Sequence, residues 1–179
     1  MQSASKILSY SNSRRGAAVV ALVLACGFML SAADTPVNVQ LNLKKAGPRQ
    51  VESLTEQAIL RDYRLAWTSI AQAFETSSAD PLEGPFAGEA KKQLVDVAIQ
   101  QQQSGLSQRY LNQTHHLDAV FYAPEGDVME LHDTAEYQLE VSTGGKIIHQ
   151  EHIVKHYVVL MTPAADRWVI HHLQAVPQF

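Results

Sequence analysis

Leu131–Met161 reads LHDTAEYQLEVSTGGKIIHQEHIVKHYVVLM, and the fold turns on whether this stretch is helix or hairpin. Apolar and polar residues alternate through Leu131–Val141, and β-branched residues crowd Ile153–Val159. Gly144-Gly145 lies between them. A period of two with a glycine pair at its centre predicts two antiparallel strands joined by a two-residue turn. Inside the second strand, His149–His156 (HQEHIVKH) holds three histidines and a glutamate, which invites a metal reading. Histidines four apart chelate on a helix, where they share a face. On a strand they stand ~13 Å apart, at ~3.3 Å per residue. A helical zinc site at His152 and His156 therefore fails, and the HExxH pattern is absent.

The two-residue turn also sets a register. Val141 faces Ile148, Leu139 faces Gln150, Tyr137 faces His152, Ala135 faces Val154, Asp133 faces His156 and Leu131 faces Val158. This places the apolar residues of both strands on one face. The other face gathers His132, Thr134, Glu136, Gln138 and Glu140 against Tyr157, Lys155, Ile153, Glu151 and His149. A one-residue slip would destroy the agreement. On this register His149 and Glu151 face water, with His149 near Glu140, while His152 and His156 lie on the core side near Tyr137 and Asp133. Cross-strand partners have Cβ atoms ~5 Å apart, so Asp133 and His156 are expected within hydrogen-bonding reach. The pair reads either as a carboxylate orienting a histidine base inside a cavity or as a satisfied polar pair at the sheet rim. A cross-strand histidine site lacks a complete ligand set, so no metal and no cofactor are expected.

Outward from the hairpin, the period of two holds back to Gly105 and on to the end. Strands are expected at about Leu117–Tyr122, Leu131–Val141, Ile147–Met161 and Trp168–Val176, separated by PEGD, TGGK and TPAADR. His115-His116 falls before the first of these and is expected to be exposed. His171-His172 alternates faces, so one of the two looks inward. Before Gly105 the period is that of a helix. Val51, Leu54, Ala58, Tyr63, Ala66, Trp67, Ile70 and Phe74 recur at three- and four-residue steps, and Ser53-Leu-Thr-Glu56 fits a capping box. SSADPLEGP (Ser77–Pro85) ends that helix. A second helix is expected over Phe86–Gln103, with Phe86, Ala90, Leu94, Val97 and Ala98 on one face and Gly105 as its C-terminal cap. Tyr63 and Trp67 read as core residues, although the Tyr63 hydroxyl could be directed into a cavity. Two helices followed by a four-stranded antiparallel meander make an α+β plan.

The N-terminus stands apart. Lys6, Arg14 and Arg15 precede Gly16–Ala33, an uncharged run ending in Ser31-Ala32-Ala33. It reads as a single membrane anchor through residues 16–33 or as a signal peptide cleaved near Ala33. The basic flank directs the remainder away from the cytoplasm. The domain scheme is therefore leader or anchor over 1–33, linker over 34–50 and folded domain over 51–179. Val37–Leu43 in the linker alternates and could form a short strand. The one cysteine, Cys26, sits in the apolar run, so the exported part has neither disulfides nor thiolate chemistry. The net charge of −4 argues against nucleic-acid binding. Without Lys6, Arg14 and Arg15 the exported part keeps 11 basic and 18 acidic residues, a net of −7. All eight histidines lie between His115 and His172. Histidine titrates near pH ~6.5, so mild acid moves this part toward neutrality.

RDYRLAW, FAGEAKKQL, LDAVFY, AEYQLEV, HYVVLM and RWVIHHLQAV, in this order over about Val51–Phe179, resemble the nuclear transport factor 2-like superfamily. That resemblance implies a curved sheet wrapped around a helix as a cone, a concave pocket and frequent dimerisation through the sheet. It implies two kinds of member. Some are isomerases, dehydratases and cyclases that use an Asp or His with a Tyr, and Asp133, His156 and Tyr63 are the positions that could match. Others are non-catalytic scaffolds. With no full catalytic signature present, the expected function is a non-catalytic, membrane-held or exported domain. Tyr63, Trp67, Tyr137 and His152 would line a site for a protein partner or a small apolar ligand, and Val158–Met161 could support a homodimer through the sheet. The alternative is a lyase or isomerase with an Asp133–His156 base.

Overall fold

The computed structural model of the chain describes residues 36–179. The expected anchor or signal segment and its cleavage point lie outside the described residues. The elements run β1 (Asn38–Asn42), α1 (Ser53–Thr76), a short 3-10 turn (Asp80–Leu82), α2 (Gly88–Ser104), β2 (Leu106–Tyr122), β3 (Met129–Thr143), β4 (Lys146–Pro163) and β5 (Trp168–Val176). The fold is α+β, with two helices packed on a five-stranded mixed sheet of order β1-β2-β3-β4-β5. Four neighbours were expected, all antiparallel; the fifth strand, β1, runs parallel to β2. It comes from the stretch assigned as linker. The alternation of Val37–Leu43 explains this, because Val37 and Val39 are buried in the core while Asn38 and Gln40 face out.

α1 forms because one stripe repeats at helical spacing. Ile59, Tyr63, Ala66, Trp67, Ile70, Ala73 and Phe74 are buried against Leu117, Ala119, Leu131, Val159, Met161 and Ile170 of the sheet. Burying each large side chain of this set contributes about 1.5–3 kcal/mol. The stripe departs from expectation at Leu54, which is 79% exposed. The expected capping box does not form either. Glu52 is the N-cap and makes no side-chain cap bond; its carboxylate accepts instead from Arg49 at 2.6 Å. At the far end Ser77 adopts a left-handed conformation, φ 51°, and donates its N–H to Ala73. α2 ends as expected on Gly105, φ 64°, whose N–H reaches the carbonyls of Gln101 and Gln102.

Asp62 fastens α1 to β5. It is buried, holds Arg61 at 2.7 Å and accepts the backbone N–H of Trp168 at 2.7 Å. The start of α2 is tied to the same strand, since Ala87 N–H bonds Ile170 C=O and Ile170 N–H bonds Pro85 C=O.

Two departures from the expected sheet matter for the site. β2 begins at Leu106 rather than about Leu117, which brings His115 and His116 into the sheet. The polar run Ser107–Thr114 obscured the strand in the sequence. It also contains an irregularity between Leu111 and Thr114, where Asn112 has φ 54°. Second, the β3–β4 register holds only next to the turn. Thr143 pairs with Lys146 and Ser142 with Ile147, as the two-residue turn requires. A bulge then inserts Ile148, and Val141 pairs with His149. Every pair beyond it is shifted by one residue, so Asp133 opposes Tyr157, and His156 opposes Thr134. Further shifts occur between Ala119 and Phe121 and between Leu160 and Met161. Each bulge bends its strand and increases the local twist.

Candidate functional site: a buried acid–base cluster beside an apolar pocket

The inward row of β3 is Met129, Leu131, Asp133, Ala135 and Tyr137, all buried. Asp133 is the one charged residue in it, and it is fully buried. Such a carboxylate needs partners, and they come from two other elements. His115 on β2 pairs with Ala135, diagonal to Asp133, and its Nδ1 lies 2.8 Å from Asp133 Oδ2. The Tyr63 hydroxyl, from α1, donates to the same Oδ2 at 2.7 Å. In the tautomer that donates from Nδ1 to Asp133, His115 presents Nε2 as an acceptor. Tyr63, His115 and Asp133 are all inaccessible to solvent.

Burial first, and the charge of Asp133 second, hold the Tyr63 phenol well above its ordinary range. Burial likewise raises Tyr110, Tyr137 and Tyr157. All four are therefore neutral hydroxyls at physiological pH. Three buried polar atoms at the cluster have no hydrogen-bond partner: Asp133 Oδ1, His115 Nε2 and Trp67 Nε1.

Trp67 separates this cluster from a pocket. Its ring centroid stands 4.3 Å from that of His115 and 5.5 Å from that of Tyr157. On its other side Trp67 lines a pocket of about 250 Å³ with Ile70 and Phe74 of α1, Leu94 and Val97 of α2, Tyr110 of β2, Tyr157 of β4, and Leu173 and Ala175 of β5. Ala90 and Gln93 complete the lining. Most of these side chains are apolar, with two phenols and one amide as hydrogen-bonding groups. A second, more polar hollow of about 330 Å³ lies elsewhere, lined by Gln40, Asn42, His116, Asp118, His132, Thr134 and Phe179 among others.

Asp133 and His156 are not brought together. His156 bonds Thr134 Oγ1 at 3.1 Å, and Phe179 meets its ring edge-on at 5.1 Å. The bulge at Ile148 is the reason, since the one-residue shift places Asp133 and His156 on opposite faces. The same shift sends His152 out. Its side chain is 63% exposed and lies 3.3 Å from Glu136, not beside Tyr137. His149 sits 3.3 Å from Glu151, while Glu140 takes Gln150. HQEHIVKH is a mostly solvated edge segment. Among the described residues no cluster of three or more potential metal ligands occurs.

Of the residues chosen from the sequence, Asp133, Tyr63, Trp67 and Tyr137 sit in or against the buried cluster, and Trp67 lines the pocket. His115 and Tyr157 were missed. A signal for His115 existed: extending the alternation of Leu117 and Ala119 back by one step puts His115 on their face. Tyr157 could not be placed without knowing about the bulge.

No protein-family model matches the chain, and no curated protein matches it in sequence. Similar folds do exist among solved structures. The intermembrane space region of the chloroplast protein ARC6 superposes with a TM-score of 0.57 at 16% identity, over 72% of this chain and 98% of that one. The function-unknown protein Rv3472 of Mycobacterium tuberculosis gives 0.45 at 16% identity, over 70% and 76%. The ARC6 region supports the fold alone.

Proposed function

We propose that this is a non-catalytic, extracytoplasmic binding domain of the nuclear transport factor 2-like kind. Its Trp67-floored pocket takes a small apolar ligand or an apolar side chain of a protein partner. One observation carries the reading: the pocket beside the acid–base cluster is apolar, whereas the cluster itself is sealed from solvent. A base must reach the proton it removes. A pocket of this size, with Tyr110, Tyr157 and Gln93 at its wall, suits a one- or two-ring molecule with a single hydrogen-bonding group. The basic-then-apolar N-terminus supports the extracytoplasmic placement. Thermal unfolding of the purified chain with naphthol tests the binding claim. The midpoint should rise with naphthol concentration, as ligand binding to the folded state requires. Ala175→Trp, which fills the mouth, should abolish the rise. A midpoint indifferent to naphthol, or a rise unchanged in Ala175→Trp, would refute it.

A second reading rests on the three unpartnered atoms, since a buried imidazole nitrogen and carboxylate oxygen left without partners suit proton transfer. It is a lyase or isomerase in which His115, held by Asp133, replaces His156 as the base. His115→Gln separates the two: an enzyme loses orders of magnitude in turnover, while naphthol binding in the pocket survives.

A further inference from the structure

The residues that alternate with Asp133 on β3 face the other way, off the buried face, and they meet the second, more polar hollow. Two imidazoles form a corner there. Phe179, three residues beyond the end of β5, lies flat against His132, with ring centroids 4.3 Å apart and planes 9° apart. It meets His156 edge-on at 5.1 Å. Thr134, the cross-strand partner of His156, bonds it at 3.1 Å and fixes the second ring. The corner therefore accepts an aromatic ring, with one imidazole as floor and the other as wall. Its present occupant is incompletely covered, since Phe179 is 54% exposed.

A carboxylate stands beside this corner. Asp118 on β2 is the direct cross-strand partner of His132, and both line the hollow of about 330 Å³ together with Phe179. Directly opposed side chains have Cβ atoms about 4.5–5.5 Å apart. Asn42 Nδ2 donates to Asp118 Oδ1 at 2.6 Å and holds the carboxylate in place. Lys45 stands 3.9 Å from Oδ2, beyond hydrogen-bonding distance. Apart from its histidines, the lining has one ionisable side chain, and that is Asp118. Glu130 Oε1, 3.2 Å from His132 Nε2, adds a second acidic group next to the floor of the corner.

We propose that this hollow is a second binding site, for a small aromatic cation: one ring bearing an amidinium or ammonium group. The ring takes the place of Phe179 on His132, and the cationic N–H groups donate to Asp118. The short distance between opposed side chains suits a charge attached directly to the ring. Phe179 is a built-in competitor that the ligand displaces. The site is independent of the Trp67 pocket, whose strand residues Tyr157, Leu173 and Ala175 lie on the inward face of the sheet.

The test titrates the purified full chain with benzamidine and follows the ring Cε1–H signals of its eight histidines. His132 and His156 should shift saturably while His115, sealed on the inward face, stays unmoved. Phe179→Ala should tighten binding about two- to tenfold, the range over which one aromatic stack shifts an equilibrium. Asp118→Asn should weaken it about two- to fivefold, as the loss of a partly exposed ion pair does. Neutral benzamide, of the same shape, should bind the native chain more weakly than benzamidine. No saturable shift at His132, unchanged or weaker binding in Phe179→Ala, or equal binding of benzamide and benzamidine would overturn the proposal.

Discussion

The two ends of the β3–β4 hairpin share one ladder and one alternating pattern, yet they have opposite fates. At the open end, Leu131, Asp133 and Ala135 are sealed under α1, and Val159 and Met161 are buried beside them. At the turn end, Ile147, Ile148 and Val154 lie on the opposite, outward face and are exposed to solvent, with nothing laid over them among the described residues. Strand patterning makes a face available, and the elements that come to lie on it decide whether it is a core. α1 lies on the inward face at the open end, whereas no element lies on the outward face at the turn end among the described residues.

The contrast can be broken most directly at Asp133. Replacing it with Ala leaves His115 and the Tyr63 hydroxyl buried without an acceptor and should destabilise the fold by about 3–5 kcal/mol in chemical denaturation. Removing a fully buried apolar side chain from the same end comes next. Leu131→Ala should cost about 2–5 kcal/mol, whereas Ile148→Ala at the turn end should change stability by less than about 0.5 kcal/mol. Equal effects would remove the distinction between the two ends.

Alkaline titration sharpens it further. Tyr63, Tyr110, Tyr137 and Tyr157 have raised pKa values in the folded chain, so above pH ~10 the unfolded state ionises first and holds fewer protons. Their contribution is fully present below pH ~10 and is lost as pH rises toward the folded values. Each should lower the unfolding free energy by about 1.4 kcal/mol per pH unit, and Tyr157→Phe should reduce the slope by one such increment. The smallest effect is expected inside HQEHIVKH, where His152→Ala breaks only a solvated contact with Glu136 and should shift stability by about 0.5 kcal/mol or less.

Much of this fold is legible in the sequence because its periodicities are long and unbroken. The stripe on α1, the Gly144-Gly145 turn and the alternation of β3 each specify one arrangement. β1 was legible as an alternating run, but its parallel pairing was not, since that depends on a partner strand more than seventy residues away. The site was half legible. Tyr63, Trp67 and Asp133 lie on faces that periodicity assigns to the core, but pairing Asp133 with His156 assumed an uninterrupted ladder. One extra residue at Ile148 reversed every facing relation beyond it and transferred the partnership to His115, on a strand whose polar first half concealed its length.

The central claim, that the Trp67-floored pocket is the functional site, is best tested by the side-chain indole N–H signals of the chain's two tryptophans during a naphthol titration. Trp67 lines the pocket; Trp168 packs near Tyr122 and does not line it. A saturable shift of the Trp67 signal with Trp168 unmoved is the predicted result. No shift of Trp67, or equal shifts of both, would contradict the account.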